Sequence, residues 1–292
     1  MHSGLKTDSV MVMKTMLAIH DLSCHSKSSL SVVLPALSAL GIDYSILPTA
    51  LLSTQTDGFE GYEYIDLTQF MLDTLKHWKK LDLTLDSLYS GFLGSEQQID
   101  IVLAALEWQE AKSKDFLTVV DPVLGDNGEP YAPVSESLIK KMQELVRHAR
   151  VITPNVTEAA FLLQEPYNPA LSVEEAKRWA IRLSQLGPQK VAITSVMDSI
   201  WGGVIAYDSA TNETAVIKEI YTSISYPGCG DLFASILAGQ LVRGVAFFEA
   251  TRFASNLVSK AVRLSYEGGR ERTLGVSVET IIPLLVERSQ WY

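Results

Sequence analysis

The chain has 292 residues, 47% of them hydrophobic and 20% charged, which is enough apolar material to fill one large core. Its 24 lysines and arginines against 34 aspartates and glutamates give a net charge of −10 without any basic cluster, so nucleic acids and anionic membranes are excluded as expected partners. The two cysteines, Cys24 and Cys229, have neither metal-ligand nor disulfide-framework spacing, which points to a reducing, cytoplasmic setting.

Residues 1–14 read as a flexible N-terminal extension. The apolar stretch VMVMKTMLAIHD is interrupted by Lys14, is too short to span a bilayer and carries no cleavage-site pattern. TMLAIH (15–20) is a buried strand, followed by helical periodicity over 28–40 and by the strand YSILPT (44–49). Helical spacing over 66–79 leads to DSLYSG (86–91), and a helix over 96–112 leads to FLTVVDP (116–122). A helix over 135–148 precedes RVITPN (150–155); helices over 156–163 and 173–186 precede KVAITS (190–195). Short apolar runs alternating with amphipathic segments are the pattern of a βαβ series, hence a mainly parallel central sheet with helices on both faces, three layers in one α/β domain over 15–292. WGGVIAYD and ETAVIKEIYT flank the turn cluster SATN and predict an antiparallel hairpin at one edge. From 231 onward, helical segments fall at 231–243, 246–265 and 277–288, while Trp78 and Trp108 sit at core-packing positions of their helices.

In such sheets ligands bind beyond the carboxyl ends of the strands, and the polar punctuation gathers there. SGFLGS (90–95), DPVLGDNGEPYAP (121–133), TPNVTEAAFL (153–162) and TSVMDS (194–199) each follow a predicted strand. Asp121 and Glu158 are suited to hold Mg²⁺, which takes one or two carboxylates and completes its shell with phosphate oxygens and water. Each also has an ordinary structural reading: Asp121 is a loop aspartate before a proline, and Asn155 with Glu158 three residues on is a capping box. In SYPGCGDLFAS (225–235) two glycines open an apolar helix, so free N–H groups and the positive end of the helix dipole make a place for an anion. Asp231 beside that anion site makes chemical sense as a base that takes the proton from a hydroxyl attacking phosphorus. His20 and His25 lack a third ligand nearby and read as packed or exposed side chains.

The ordered set SGFLGS, DPVLGDNG, TPNVTEAAFL, AITS and PGCGDLFAS resembles the pyridoxal/pyridoxamine kinases of the ribokinase-like superfamily, from residue 16 over nearly the whole chain. The resemblance implies a ribokinase-like fold and ATP-dependent phosphorylation of the 5′-hydroxymethyl group of a B6 vitamer (pyridoxal, pyridoxamine or pyridoxine). Asp231 matches the base, and Gly228, Cys229 and Gly230 match the anion hole. Asp121, Asn155 and Glu158 match the metal and phosphate region, Thr194 and Ser195 match nucleotide-phosphate contacts, and GDNGEPYA matches a lid with Gly125 and Gly128 as pivots. Mg²⁺, a monovalent cation such as K⁺, and a homodimer are likewise implied.

The vitamin side departs from the family pattern. Asp21 stands where a ring-contacting serine is usual, Gln55 where a histidine is common with Thr56 retained, and Phe92 where a tyrosine is frequent. Asp21 either bonds a pyridinium N–H or a charged amine, or caps the helix that follows. Cys229 replaces the more familiar threonine or alanine; at a helix N-terminus its thiol is expected to be acidified, able to add to the pyridoxal aldehyde, or else merely to fill space. The alternatives to a B6 kinase are a hydroxymethylpyrimidine kinase of thiamine synthesis and a non-catalytic vitamer-binding regulator. A dehydrogenase is disfavoured, because HDLSCHSKSS and no glycine fingerprint follows the first strand.

Overall fold

The computed structural model describes residues 13–197, 201–220 and 224–289. The chain opens with β1 (Thr15–Ser23), α1 (Leu30–Ala39) and β2 (Asp43–Leu52), followed by a short β3 (Tyr64–Asp66) and α2 (Thr68–Lys80). Next come β4 (Ser87–Ser90), α3 (Glu96–Glu110) and β5 (Leu117–Val120), then the two-residue strands β6 (Gly125–Asp126) and β7 (Glu129–Pro130). α4 (Glu136–His148), β8 (Val151–Ile152), α5 (Val156–Leu163), α6 (Val173–Ser184) and β9 (Lys190–Met197) complete the alternating series. The hairpin β10 (Trp201–Asp208) and β11 (Glu213–Ile220) leads to α7 (Cys229–Val242), α8 (Phe247–Glu267) and α9 (Ile282–Ser289).

Nine strands form one sheet in the order β11-β10-β9-β8-β5-β4-β1-β2-β3. The strands from β9 to β2 run parallel, while β3, β10 and β11 are added antiparallel at the edges. Successive side chains of a strand point to opposite faces. In β1 this sends Leu17 and Ile19 into a core under α2 to α6, and Met16 and Ala18 into a second core under α1, α7, α8 and α9. The three expected layers are therefore present. α7 is buried on every side, from Leu232 through Gln240, in keeping with a sequence there that is apolar except for Ser235 and Gln240. Trp78 and Trp108 pack against the first core.

Several local features differ from the sequence expectations. β3 is exposed along its length and carries no buried alternation to announce it; pairing of Tyr64–Asp66 with Leu52, Leu51 and Ala50 of β2 makes it a strand. In the GDNGEPYA segment, Asn127 (φ 52°) and Gly128 (φ 83°) form the turn of a β6–β7 hairpin, the Asn-Gly signature of a tight turn. Gly125 is there for close approach, since a Cβ would lie 2.2 Å from the Glu129 carbonyl oxygen. Asp21 lies within β1, and the N-cap of α1 is Ser29, so Asp21 does not cap that helix. Of the expected extension, Lys14 is held by Asp86 at 2.9 Å and by the Asp43 N–H, while residues 1–12 lie outside the described residues. Among the described residues no helix is long and apolar enough to cross a membrane.

Candidate active site

The carboxyl ends of β5, β8 and β9 and the N-terminus of α7 enclose a cavity of about 650 Å³. Asp121, Asn155 and Glu158 line it together with Thr194 and Ser195, Thr194 being bridged to Asn155, and Gly228, Cys229, Gly230 and Asp231 line it at the α7 end. Residues from four separate motifs thus meet in one space. Asp21, Gln55, Thr56 and Phe92 are not among its lining residues.

The α7 end is built by Gly228. It holds φ 84°, and a Cβ there would lie 2.7 Å from the Lys27 carbonyl oxygen, so a larger residue meets both backbone strain and a steric clash. Having no side chain, Gly228 makes no side-chain cap, and the first N–H groups of a helix have no partner within it. At Gly230 a Cβ would meet nothing nearer than Asp121 Oδ2 at 4.0 Å, so the backbone there faces open space. Donors with no acceptor of their own, the positive helix end and adjacent space together suit an anion.

Asp231 sits in the first turn of α7. Its Oδ2 accepts the Ser29 N–H at 2.8 Å, while Oδ1 has no partner among the described residues. Burial pushes its pKa up to about 6, with the Asp21 charge adding to the rise and the Ser29 hydrogen bond opposing it. Asp121 is held by the Thr153 hydroxyl at 2.8 Å, and burial, then the Asp231 charge, push it to about 7. Glu158 closes a capping box with Asn155: its Oε2 accepts the Asn155 N–H at 2.8 Å, and Asn155 Oδ1 accepts the Glu158 N–H at 2.9 Å. Glu158 Oε1 also accepts the Leu124 N–H at 3.2 Å, yet burial and the neighbouring Asp121 hold the carboxyl well above the usual range. The capping reading of Asn155 and Glu158 is therefore realised, and both residues also line the cavity.

Buried carboxylates that raise one another's pKa create a place where a divalent cation would relieve the repulsion. No group of three His, Cys, Asp or Glu side chains among the described residues is placed to hold a metal alone. This donor chemistry fits Mg²⁺, which accepts few protein ligands and takes the rest from phosphate and water. Asp121 and Glu158 are the residues that would carry it.

Ser29 escaped the sequence reading. Its N–H holds Asp231 and its hydroxyl donates to Asp21, so one residue links the expected base to the expected vitamin-side carboxylate. It adopts φ 49° and ψ −132°, a costly backbone for a residue with a Cβ, beside a functional site. The only clue in the sequence is a run of serines before a helix. Asp21 itself lies where the β1–β2 register shifts between His20 and Leu22, an irregularity of the kind that re-aims a side chain. It is 5% exposed, and burial raises its pKa despite the Ser29 hydrogen bond.

Gln55 is buried, and its amide is committed to the carbonyls of Asp57 and Thr273, the latter at 3.1 Å. Thr56 is exposed, and Phe92 is half-buried with its carbonyl accepting the Thr49 hydroxyl at 3.0 Å. His20 is buried edge-on against Tyr89, and burial lowers its pKa to about 3. His25 packs edge-on against Phe59. The acidified thiol is not found. Burial pushes Cys229 up to about 12 against the lowering hydrogen bond to the Tyr226 backbone, with the Asp231 charge adding to the rise, so it is a thiol at neutral pH.

Residues 34–275 match the family model described as phosphomethylpyrimidine kinase. A Bacteroides thetaiotaomicron protein assigned to the phosphomethylpyrimidine kinases and solved with pyridoxal is 37% identical. That match covers 94% of this chain and 96% of the other, with a TM-score of 0.88. The pyridoxal kinase of Lactobacillus plantarum is 30% identical over 95% of this chain and 98% of its own, with a TM-score of 0.87. The pyridoxal kinase of Arabidopsis thaliana is 28% identical over 218 residues, 72% of this chain and 68% of its own. The parallel sheet with its open helix end and the match along most of the chain agree: the protein belongs to the phosphomethylpyrimidine kinase family, alongside its pyridoxal kinases, and has their ribokinase-like fold.

Proposed function

We propose that this protein transfers the γ-phosphoryl group of ATP to the 5′-hydroxymethyl oxygen of a B6 vitamer. The observation that carries the reading is Asp231, a carboxylate with a pKa raised to about 6, beside the open amide end of α7 and opposite Asp121. The hydroxyl oxygen attacks phosphorus, its proton passes to Asp231, and the bond from phosphorus to the leaving ADP oxygen breaks. The Gly228, Cys229 and Gly230 amides receive the phosphoryl charge, as donors fixed before the reaction do. Thr194 and Ser195 contact the nucleotide phosphates. Mg²⁺, when bound, neutralises phosphate charge and orients the nucleotide.

Asp21, Thr56 and Phe92 make up the vitamin side, with Gln55 fastening the loop that carries Thr56. The pyridoxal-bound relative at 37% identity favours a B6 acceptor. Hydroxymethylpyrimidine is the second acceptor to consider, because the matching family model is described as phosphomethylpyrimidine kinase, an activity on the same pyrimidine skeleton. An ATP-dependent assay across pyridoxal, pyridoxamine, pyridoxine and hydroxymethylpyrimidine, with and without Mg²⁺ and K⁺, tests the reading. Turnover confined to hydroxymethylpyrimidine would replace it, and no turnover of any acceptor would leave a vitamer-binding regulator. A homodimer working in the cytoplasm completes the proposal, and light scattering of the purified protein tests the dimer.

A further inference from the structure

The cavity described above has a charge problem. Six carboxylates line it, those of Asp57, Asp121, Asp126, Glu158, Glu219 and Asp231, with no lysine or arginine among the described lining residues. A nucleotide triphosphate adds further negative charge. Phosphoryl transfer elsewhere answers this with metal ions and with an arginine placed on the transferred group.

Among the described residues, Lys27, Arg270 and Arg272 stand near the open end of α7, and Arg270 is committed to backbone carbonyls. Lys27 directs its ammonium to Glu279 at 2.8 Å, outside the cavity lining. Arg272 directs its guanidinium to Asp57, which does line it, with Nη1 to Oδ1 at 3.0 Å and Nη2 to Oδ2 at 2.5 Å. Arg252 lies farther off, beside Glu219. The Arg272 charge also acts on Asp126 in β6 and on Cys229 at the first turn of α7.

The backbone that carries Arg272 is pinned against the anion hole. The Val276 N–H donates to the Pro227 carbonyl at 2.9 Å, and the Lys27 N–H donates to the Leu274 carbonyl at 3.0 Å. The Arg270 guanidinium donates to the Gly275 and Leu274 carbonyls, and the Tyr226 hydroxyl donates to the Arg270 carbonyl at 3.2 Å. The Arg272 side chain, by contrast, is 47% exposed. A fixed base and a solvated guanidinium allow the head to change partners at small cost, because exposed ion pairs hold weakly and a phosphate offers the same two-pronged geometry as a carboxylate.

Resting on the kinase reading above, we propose that Arg272 engages the transferable phosphoryl group, with Asp57 as its counter-ion when no nucleotide is bound. Arg272 forms no covalent bond. It exchanges one charge-assisted pair for another and leaves Asp57 to solvent.

The competing account is that the Arg272–Asp57 pair only fastens the loop around Gln55 to the strap around Thr273. The two accounts separate in Arg272→Ala, Arg272→Lys and Asp57→Asn, measured by calorimetric titration with ADP and with a non-hydrolysable ATP analogue, by kcat and KM with pyridoxal, and by thermal melting. The proposal expects Arg272→Ala to weaken the analogue at least ~10-fold more than ADP and to lower kcat roughly 10²- to 10³-fold. Arg272→Lys should restore part of both, and Asp57→Asn should lose less than ~10-fold in kcat. Equal losses in Arg272→Ala and Asp57→Asn, with ADP and analogue weakened alike, overturn it in favour of the fastener. If Arg272→Ala does not melt cooperatively, Arg272→Lys carries the same comparison between ADP and analogue. The kinase reading fails separately: wild-type protein without turnover sinks that reading, while a selective loss of analogue binding in the variant still supports Arg272.

Discussion

Two helix N-termini face the same cavity, and they are finished in opposite ways. α5 is closed by its own side chains: Asn155 accepts from the third N–H of the helix, and Glu158 returns a bond to the Asn155 N–H. α7 has a glycine at its cap, held at φ 84° with no side-chain cap. The protein's own side chains cap one end and not the other. In the reaction proposed above, the uncapped end receives the phosphoryl charge, and the carboxylate beside it serves the chemistry rather than the helix.

The largest expected effect tests that contrast at the open end. Asp231→Asn should lower kcat roughly 10²- to 10⁴-fold while leaving nucleotide affinity nearly intact, since it removes the base and keeps the amides. Activity within a few-fold of wild type would return Asp231 to an ordinary first-turn acid. The same group sets a pH profile. With a pKa near 6, the ionised base increases as pH rises, so kcat should climb from pH 5 to 7 and level off above. Stability should run the other way. Asp121 and Asp231 bind protons more tightly folded than unfolded, so their contribution is present at low pH and lost as pH rises through about 6 to 7. Urea melts at pH 5 and 8, compared in wild type and Asp231→Asn, measure the Asp231 share.

Gly228→Ala comes next, because it strains the backbone and meets the Lys27 carbonyl oxygen. A cost of about 1–3 kcal/mol in urea unfolding is expected, together with weaker analogue binding. An unchanged melt would mean the turn can shift and that its glycine is dispensable. Smaller effects belong to the closed end. Glu158→Gln should raise the Mg²⁺ concentration for half-maximal rate by about 10-fold, the lower end for residues that orient a metal site. A titration superimposable on wild type would leave Glu158 as a cap and nothing more. Asn155→Ala is expected to cost about 1 kcal/mol of stability, the ordinary value of a lost N-cap, and denaturant midpoints read it directly.

The strand and helix series was legible because buried parallel strands are short apolar runs and their crossover helices repeat at 3.6 residues. The pairing of Glu158 with Asn155 was legible, since a capping box is a local pattern. β3 was not legible, for the opposite reason: Tyr64–Asp66 has no buried face, and only the edge of β2 makes it a strand. Gln55 showed its residue type but not its role, because its partner Thr273 lies 218 positions away in sequence.

Asp231 and Ser29 draw the same boundary inside the site. Glycine spacing, the apolar run that follows and the acid at its head are properties of consecutive residues, so the open helix end and the acid in its first turn could be read from the chain alone. That Ser29 would hold Asp231 from 202 positions away, and that Asp21 would stand behind it, was decided by packing α1 against α7. The protonation of Cys229 belongs to the same class: position at a helix start argues for a thiolate, but burial next to Asp231 sets the thiol pKa at about 12. Local backbone chemistry is written in neighbouring residues, whereas desolvation and charge pairing depend on what the fold brings together, and those decided the states of the groups in this cavity.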